Sequence, residues 1–388
     1  MTYLNTWKVC KSKIVEIAAI LLLTHLRRTN MGGKVFIHGY EAVGRGALNA
    51  GCLHFFGYPI TPQNEITEFF ARELPKRGGR FVQAESESSS ASMVFGAAAA
   101  GVRVMTSTAS PGWGLMQEIL SHISFCELPC VVVNVQRGGP GQGTTRHAQT
   151  DYLSATRGGG QGGYKTIVLA PSSVQECHDL MQLAFYLADK YRILTVVLAD
   201  GILIQIAEYT DVTPLDFGPL PPKDWALKGI DKKGGKFDHI HSTRGLIPPI
   251  YKTIIEQIHE KYKKIAESEV RFRTYQAEDA ELLLISYGYV ARCCEEAVNM
   301  ARSEGLKVGT IQPITLWPFP YDMLKQKASQ GCRFLVVEDS MGQLLEDVWL
   351  GVEDKSLVSF LGMSSRHVAG ELGMIFPETI FEEVKRLI

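Results

Sequence analysis

Several side chains of this 388-residue sequence have the chemical types and the spacing to form a binding or catalytic site. Glu85 and Glu87 end a predicted strand and precede a helix made almost entirely of Ser, Ala and Gly, within residues 81–101. An acid between a parallel strand and a helix lies at the carboxyl edge of a sheet, where open α/β folds bind ligands. The small residues would let a flat cofactor or another backbone approach. The alternative is a tightly packed core helix preceded by two solvated acids.

Arg137 follows the segment Cys130–Val135, whose apolar, β-branched residues predict a central parallel strand. It stands beside a glycine-rich loop, residues 138–151, whose backbone N–H groups could face a ligand. An arginine in this place can bind a carboxylate through two parallel hydrogen bonds. The alternative is a structural ion pair between Arg137 and a nearby acid.

Thr61 lies in the segment Tyr58-Pro59-Ile60-Thr61-Pro62. A hydroxyl at a helix N-terminus can bind an oxyanion or a carboxylate. Thr61 could equally be a simple N-cap, because Pro62 suits the first position of a helix that the pattern predicts through Leu74.

Strands and helices alternate along the first 200 residues, which predicts a doubly wound parallel sheet that must position these side chains. Residues 213–249 then hold six prolines and the basic patch DKKGGK, which predicts a linker. An amphipathic helix and a second α/β unit follow, with strands near 282–286, 307–311 and 334–337. We therefore expect an N-terminal extension (1–30), a first domain (31–205), a linker with a helix (206–270) and a second domain (271–388).

The N-terminal extension has a composition of its own. Basic residues flank an apolar run, Ile14–Leu26, which is too short to span a bilayer. A signal peptide is not indicated, because the segment has no small-residue cleavage site. We interpret residues 1–30 as a non-native extension or a peripheral helix.

Composition and charge exclude several classes of function. A hydrophobic fraction of 45% and a charged fraction of 21% are typical of a globular protein. The net charge of −1 gives no electrostatic case for binding nucleic acid or an anionic membrane. The eight cysteines form no C-x-x-C pair and no cluster with zinc or iron–sulfur spacing. Their pattern suits a reducing cytoplasm.

The sequence also has no G-x-x-x-x-G-K-[ST] motif, no strand-linked G-x-G-x-x-G with a following acid, no H-E-x-x-H and no G-x-S-x-G nucleophile motif. An acid, a hydroxyl and an arginine at neighbouring strand ends would therefore have no phosphate, metal or redox group of their own. We expect another chain to complete such a site.

Seven segments together resemble the alpha, pyrimidine-binding subunit of the anaerobic 2-oxoacid:ferredoxin oxidoreductases. The segments are YPITPQNEI, QAESE, MTSTASPGWGLMQE, NVQRGGPGQG, APSSVQE, QPITLWPFP and VVEDSMGQLLEDV. The resemblance runs from about Val35 to the C-terminus and is nearest to the 2-oxoisovalerate branch, with 2-oxoglutarate subunits next. It implies an α/β fold with a thiamine diphosphate-binding-type pyrimidine domain and a C-terminal domain like that of transketolases.

In this family, thiamine diphosphate lies between two subunits. The resemblance implies that this chain holds the aminopyrimidine, whereas a beta subunit with a Gly-Asp-Gly motif holds the diphosphate and Mg²⁺. Gamma and ferredoxin-like delta subunits complete the complex, and [4Fe–4S] clusters lie on partner chains. CoA is the implied co-substrate, and ferredoxin is the electron acceptor. The complex is expected to be cytoplasmic, with neither nucleic acid nor a membrane as a partner.

By resemblance, Glu87 matches the glutamate that hydrogen-bonds to the pyrimidine N1′ of thiamine. A carboxyl group shielded from water can share the proton that this ring must pass on. Glu85 remains a second cofactor-binding candidate, although the spacing to the small-residue helix favours Glu87. Thr61 matches a substrate-binding threonine, and Arg137 matches the arginine that pairs with the carboxylate of the 2-oxoacid.

Ser110 and Gly112, in the segment MTSTASPGWGLMQE, are further candidates for binding the cofactor. The sequence also departs from the family pattern. Tyr40 stands where the family often has Asn, and Gln312 replaces a frequent Arg. The segment Gln142–Asp151 is specific to this sequence and is expected to border the pocket, so the identity of the 2-oxoacid stays open.

We expect the complex to decarboxylate a 2-oxoacid oxidatively, to release acyl-CoA and to reduce ferredoxin. Two alternatives remain at this point. One is a subunit of a non-redox thiamine diphosphate enzyme, either a decarboxylase or a transketolase-like enzyme. The other is a non-catalytic scaffold subunit with an empty site.

Overall fold

The computed structural model describes residues 34–229, 240, 243, 245–363 and 374–388. Two expectations lie outside these residues, namely the interpretation of residues 1–30 and that of the basic patch at 231–236. In the described part of the chain, no helix is both long and apolar enough to cross a bilayer. The strands, numbered in chain order, are β1 (Val35–His38), β2 (His54–Gly57), β3 (Arg80–Gln83), β4 (Val104–Ala109), β5 (Cys130–Gln136), β6 (Ile167–Leu169), β7 (Leu194–Asp200), β8 (Ala207–Thr210), β9 (Phe272–Tyr275), β10 (Leu282–Ile285), β11 (Val308–Pro313), β12 (Thr315–Trp317), β13 (Arg333–Val337) and β14 (Val358–Leu361).

The α-helices cover both sheets and connect most of the parallel strands. In the same described residues they are α1 (Gly39–Asn49), α2 (Asn64–Glu73), α3 (Glu87–Ala99), α4 (Ser110–Phe125), α5 (Tyr152–Thr156), α6 (Val174–Tyr191), α7 (Gly201–Gln205), α8 (Pro248–Ser268), α9 (Gly288–Ser303), α10 (Tyr321–Ser329), α11 (Gln343–Gly351) and α12 (Pro377–Leu387).

The first sheet has seven strands in the order β12-β6-β7-β5-β4-β2-β3. All of them run parallel except β12, which pairs antiparallel with β6. Every residue of β4, β5 and β7 is buried, because helices cover both faces of this sheet. The predicted doubly wound parallel sheet is confirmed, and so is the central position of the strand that precedes Arg137.

Successive residues of β5 point to opposite faces of the sheet and so contribute to two hydrophobic clusters. Val131, Val133 and Val135 pack into one cluster, whereas Cys130 and Val132 pack into the other. A strand of apolar residues with no polar alternation therefore fits a sheet with a core on each side.

The second sheet has five strands in the order β14-β13-β10-β11-β9, and only β9 runs antiparallel to its neighbour. β1 and β8 form a separate antiparallel pair. The predicted strands of the second unit are present, but β12 leaves this unit and joins the edge of the first sheet. The domain boundaries near residues 205 and 270 stay predictions.

Two helix starts differ from the expectation. α2 begins at Asn64 and not at Pro62, because the Gln63 N–H donates to the Ile60 carbonyl at 3.0 Å and closes a turn before the helix. The prediction that Thr61 is an N-cap is therefore wrong. The sequence pattern after Ser110-Pro111-Gly112 predicts a helix start at Leu115, but α4 begins at Ser110. Pro111 is tolerated in the first turn because a backbone N–H there would have no partner within the helix.

Candidate active site

The predicted site residues all follow the carboxyl ends of neighbouring parallel strands. β2 leads into the segment with Thr61, and β3 leads into Glu85 and Glu87. β4 runs directly into the first turn of α4, and β5 ends at the residue before Arg137. Because these four strands are adjacent in the order β5-β4-β2-β3, the residues lie along one edge of the sheet. This edge is the candidate active site.

Glu87 is buried, with 5% of its surface exposed, and it is the first residue of α3. The helix begins there because the Ser86 hydroxyl accepts the Ser89 N–H at 3.1 Å and so acts as the N-cap. Since Ser86 fills the capping role, the carboxylate of Glu87 is left for another partner. No described residue donates a hydrogen bond to it.

Gly112, in the first turn of α4, packs directly against Glu87. A Cβ atom on residue 112 would lie 2.6 Å from Glu87 Oε1 and 2.2 Å from Thr108 Oγ1. Real Cβ atoms essentially never come closer than 3.0 Å to another heavy atom, so any larger residue would displace the carboxylate. Glycine at this position therefore lets α4 approach the buried acid.

Glu85 lies only two residues before Glu87 but is exposed. Its Oε1 accepts a hydrogen bond from the Ser89 hydroxyl at 2.5 Å, and this bond lowers the pKa of the Glu85 carboxyl. The structure thus separates the two acids, one buried without a donor and one exposed with a donor. Glu85 as a cofactor-binding residue stays a prediction, and the geometry favours Glu87.

Arg137 is a buried cation, with 6% of its surface exposed. Its Nη1 donates to the Thr61 carbonyl at 2.9 Å, and its Nη2 donates to the Gln142 carbonyl at 3.1 Å and to Gln142 Oε1 at 3.2 Å. Its Nε is buried without a hydrogen-bond partner. Among the described residues, no carboxylate lies within ion-pair distance of the guanidinium. The geometry therefore does not support the alternative of a structural ion pair.

The turn with Thr61 is held against the sheet by Gln63, a residue that sequence reasoning missed. Gln63 is fully buried, and its Nε2 donates to the Tyr58 carbonyl at 3.1 Å. Its Oε1 accepts from the hydroxyls of Thr67 and Ser107. This arrangement brings Thr61, whose side chain is exposed, next to Arg137 through the backbone contact described above. An uncharged glutamine beside a helix start gives no sequence signal for this role.

Ser110 holds the backbone of Arg137. Its hydroxyl accepts the Arg137 N–H at 3.0 Å and lies 3.0 Å from the Arg137 carbonyl oxygen. The same hydroxyl contacts Asp151, a second residue that was missed, which also accepts from Asn134 at 3.0 Å. Burial raises the pKa of the Asp151 carboxyl. The first turn of α4 thus contacts Arg137 through Ser110, and it contacts Glu87 through Gly112. A direct contact of Ser110 with the cofactor stays a prediction.

The second unit anchors the loop that follows Arg137. The Gln149 N–H donates to the Asp339 carbonyl at 2.7 Å, and the Asp339 N–H donates to Gln149 Oε1 at 2.9 Å. The Thr150 hydroxyl donates to the Arg137 carbonyl at 3.0 Å, and Gln343 Nε2 donates to the Thr150 carbonyl at 2.7 Å. Gln149 and Thr150 lie in the segment that is specific to this sequence, whereas Asp339 and Gln343 lie in VVEDSMGQLLEDV, one of the segments that carry the resemblance.

Two family models match the chain. Residues 45–274 match the thiamine diphosphate-binding domain of pyruvate flavodoxin/ferredoxin oxidoreductases. Residues 280–370 match core domain II of pyruvate:ferredoxin oxidoreductase. The first match covers more than half of the chain and includes every predicted site residue.

Two relatives from Methanothermobacter marburgensis are similar over most of the chain. The ketoisovalerate oxidoreductase subunit VorB is 43% identical over 334 residues, which cover 84% of this chain and 92% of the relative. The 2-oxoglutarate synthase subunit KorA is 37% identical over 342 residues, which cover 82% of this chain and 91% of the relative.

Solved structures agree with these matches. A 2-oxoglutarate:ferredoxin oxidoreductase from Magnetococcus marinus, solved with 2-oxoglutarate, coenzyme A and succinyl-CoA bound, has a TM-score of 0.80 and 29% identity. The match covers 91% of this chain and spans about 65% of the length of that one. A split-gene transketolase, solved as an inactive β4 tetramer, has a TM-score of 0.57 at 13% identity, with 91% of this chain and 98% of that chain covered, and supports the fold alone. The expected fold class is thereby confirmed, and the chain belongs to the 2-oxoacid:ferredoxin oxidoreductase family, as a subunit of its 2-oxoisovalerate and 2-oxoglutarate branch.

Proposed function

We propose that this chain holds the aminopyrimidine of thiamine diphosphate in a complex that oxidatively decarboxylates 2-oxoisovalerate or 2-oxoglutarate. The complex releases acyl-CoA and reduces ferredoxin. One observation carries the proposal. Glu87 is buried and receives no hydrogen bond from any described residue, and Arg137 is buried with no described carboxylate within ion-pair distance, and both lie along the same sheet edge.

The residues present fit the pyrimidine half of the cofactor. Glu87 offers a buried acceptor that no described residue occupies, and Gly112 keeps the space beside it free of a side chain. When bound, thiamine diphosphate supplies the carbanion stabilisation that allows a 2-oxoacid to lose CO₂. In this role, Glu87 binds the ring and holds or releases a proton at its carboxylate, and the shielding from water strengthens that contact.

Arg137 would bind the carboxylate of the 2-oxoacid. A buried guanidinium without a counter-ion gains a charge-assisted, bidentate partner when a carboxylate arrives. Thr61 lies beside it and offers an exposed hydroxyl for a second contact with the substrate. The hydroxyls of Ser110 and Thr150 hold the backbone of Arg137, and the Thr61 carbonyl holds its guanidinium, so little ordering is left to the binding step.

The rest of the machinery would come from partner chains. A beta subunit would carry Mg²⁺ and bind the diphosphate, and gamma and ferredoxin-like delta subunits would complete the complex with [4Fe–4S] clusters. The exposed side of α3 suits the approach of such a partner, since Ser92 and Gly96 are exposed there and open space surrounds the Cα of Gly96. Leu115 on α4, beside Ser88 of α3, is 57% exposed and extends this surface.

We place the complex in the cytoplasm. The seven cysteines in the described residues are all buried, and their spacing in the sequence suits a reducing compartment.

The test is to assemble the chain with its partner subunits and to measure reduction of ferredoxin or a viologen dye. Reduction should require both a 2-oxoacid and CoA. In this complex, Arg137→Ala should raise the KM for the 2-oxoacid about 10- to 100-fold, as expected for loss of a charged hydrogen-bond partner. The KM for CoA should stay within about twofold, since Arg137 is not proposed to touch CoA.

Three results would each contradict a part of the proposal. A complex that binds thiamine diphosphate but reduces neither acceptor would belong to a non-redox enzyme. If the chain adds nothing to the affinity of its partner for thiamine diphosphate, it is a scaffold and Glu87 does not hold the ring. An unchanged KM for the 2-oxoacid in Arg137→Ala would remove the arginine from substrate binding.

A further inference from the structure

Gln142 occupies part of the surface of Arg137 that a substrate carboxylate would need. The guanidinium of Arg137 donates three hydrogen bonds. Two go to the backbone carbonyls of Thr61 and Gln142, whereas the third, at 3.2 Å, goes to the side-chain oxygen Oε1 of Gln142. A side chain can rotate away without moving the backbone. This contact is therefore the one that a ligand can replace most easily.

We propose that the Gln142 side chain is a displaceable cover on Arg137 and that the carboxylate of the 2-oxoacid replaces it on binding. This inference rests on the proposed function. It makes Gln142 a residue that sets the affinity of the complex for its substrate.

Gln142 contacts the edge of the Arg137 guanidinium that also carries Nε. Nη1 is held by the Thr61 carbonyl, whereas Nε is buried and has no hydrogen-bond partner. Nε and Nη2 form one edge of the guanidinium, and two N–H groups on one edge match the two oxygens of a carboxylate. Rotation of the Gln142 side chain removes one of the two acceptors of Nη2, while the Gln142 carbonyl stays in contact with Nη2 at 3.1 Å.

The exchange is favourable because the two acceptors differ in charge. The amide oxygen of Gln142 is neutral, and a hydrogen bond to an ionised carboxylate is roughly twice as strong. Before substrate arrives, the amide oxygen gives Nη2 of the buried guanidinium a second acceptor besides the Gln142 carbonyl. A cover of this kind protects the empty site without competing strongly with the substrate.

The exposed tip of this loop can change its conformation while Arg137 stays in place. Residues 139–146 are exposed, whereas Ala148 and Gln149 are buried. The root is tied to the second unit through the paired hydrogen bonds between Gln149 and Asp339. Gln142 lies at the exposed tip, so its side chain can leave Arg137 while the root remains anchored.

The alternative is that Gln142 is a brace that the active site needs. A brace and a cover predict opposite effects of shortening the side chain. If Gln142 is a cover, Gln142→Ala removes a competitor and should lower the dissociation constant of the 2-oxoacid about three- to tenfold, as expected for one neutral hydrogen bond. If it is a brace, the same change loosens Arg137 and raises that constant.

Gln142→Glu provides the second arm of the test. A carboxylate at this position would form an internal ion pair with Arg137 and compete with the substrate. The dissociation constant should then rise about 10- to 100-fold, in line with hydrogen bonds between charged groups. Thr145→Ala, a truncation at the same exposed tip that removes no contact to Arg137, is the matched control and should change affinity less than twofold.

Binding is best measured by calorimetric titration of the 2-oxoacid into the assembled complex that carries Glu87→Gln, so that turnover does not consume the ligand. The KM of each Gln142 variant in the otherwise unchanged complex gives an independent readout. Opposite signs for Gln142→Ala and Gln142→Glu support the cover.

Weaker binding in both Gln142 variants, together with a strong loss in Arg137→Ala, would overturn the cover and leave the proposed function standing. Affinities in Gln142→Ala and Gln142→Glu that both equal that of the unchanged side chain would also overturn it. If Arg137→Ala itself leaves the affinity for the 2-oxoacid unchanged, the role of Arg137 in the proposed function fails, and the cover fails with it.

Discussion

Glu87 and Glu338 are two buried glutamates that each follow a parallel strand and precede a helix, one in each unit of the molecule. Glu87 is 5% exposed, and no described residue donates a hydrogen bond to its carboxylate. Glu338 is fully buried and accepts from the N–H groups of Leu344 and Leu345 at 2.9 and 3.1 Å, and from the Ser340 hydroxyl at 2.7 Å. Both residues are buried, but their carboxylates differ in how many hydrogen-bond donors they receive.

The difference comes from which residue caps the following helix. Ser86 caps α3, so Glu87 is free to meet a ligand. In the second unit the acid itself caps α11, and the helix depends on it. Burial raises the pKa of the Glu338 carboxyl, and its hydrogen bonds act in the opposite direction. Burial alone therefore does not distinguish the two acids, whereas the number of hydrogen-bond donors that reach each carboxylate does.

The largest effect that tests this comparison is expected for Glu87→Gln. The amide has nearly the same shape but cannot exchange a proton, so turnover should fall about 10²- to 10⁴-fold. The thermal unfolding temperature should stay the same, because no described residue relies on the carboxylate. Steady-state rates and thermal unfolding of the complex measure both. Glu85→Gln, two residues earlier and exposed, should keep activity within about twofold, and comparable losses in both variants would break the distinction.

Gly112→Ala should have the next largest effect. The added methyl group would collide with Glu87 Oε1 and Thr108 Oγ1, so the carboxylate must move. Misplacement of a reacting group by about 1 Å can cost about 10²-fold in rate, and we expect a loss of that order in turnover. The control is Gly114→Ala, two residues further along the same helix, where nothing lies within 4 Å of the added atom. Equal activities of the two variants would show that the packing against Glu87 does not matter.

The smallest of these effects is expected for Glu338→Gln, and it should appear in stability. The amide keeps one acceptor oxygen but loses the charge that strengthens the cap on α11, which should cost about 1–2 kcal/mol in the free energy of unfolding. Denaturant unfolding of the complex measures this change. The rate per folded complex should stay nearly the same. A large loss of rate with unchanged stability would make Glu338 the functional acid and reverse the comparison.

The sequence allowed prediction of the sheet and of which residues lie at its edge. Alternating strand and helix patterns are local, and the apolar residues of β5 indicate burial on both faces, so the position of Arg137 followed from them. The start of α2 could not be predicted in the same way. It depends on the buried contacts of Gln63 with Tyr58, which follows β2, and with Ser107, which lies within β4.

The contacts between the two units could not be predicted from the sequence either. Gln149 and Asp339 are 190 residues apart in sequence, and neither has a neighbour pattern that indicates a partner. Gln142 is uncharged and lies in an exposed loop, so its contact with Arg137 is visible only in three dimensions. The roles of Thr61, Glu85, Ser110 and Arg137 in binding stay predictions, and the variants of Glu85 and Arg137 described above test two of them.

β12 has a consequence for how this subunit can be rearranged. The two family matches meet between residues 274 and 280, yet β12, well beyond that point, is the edge strand that pairs with β6 of the first sheet. A chain divided at the boundary would leave the N–H and C=O groups of β6 open, and such edges recruit other chains. An engineer who exchanges modules between relatives would therefore have to move residues 315–317 together with the first sheet. The two units follow one another along the sequence, but the hydrogen bonds between β12 and β6 join them in one sheet.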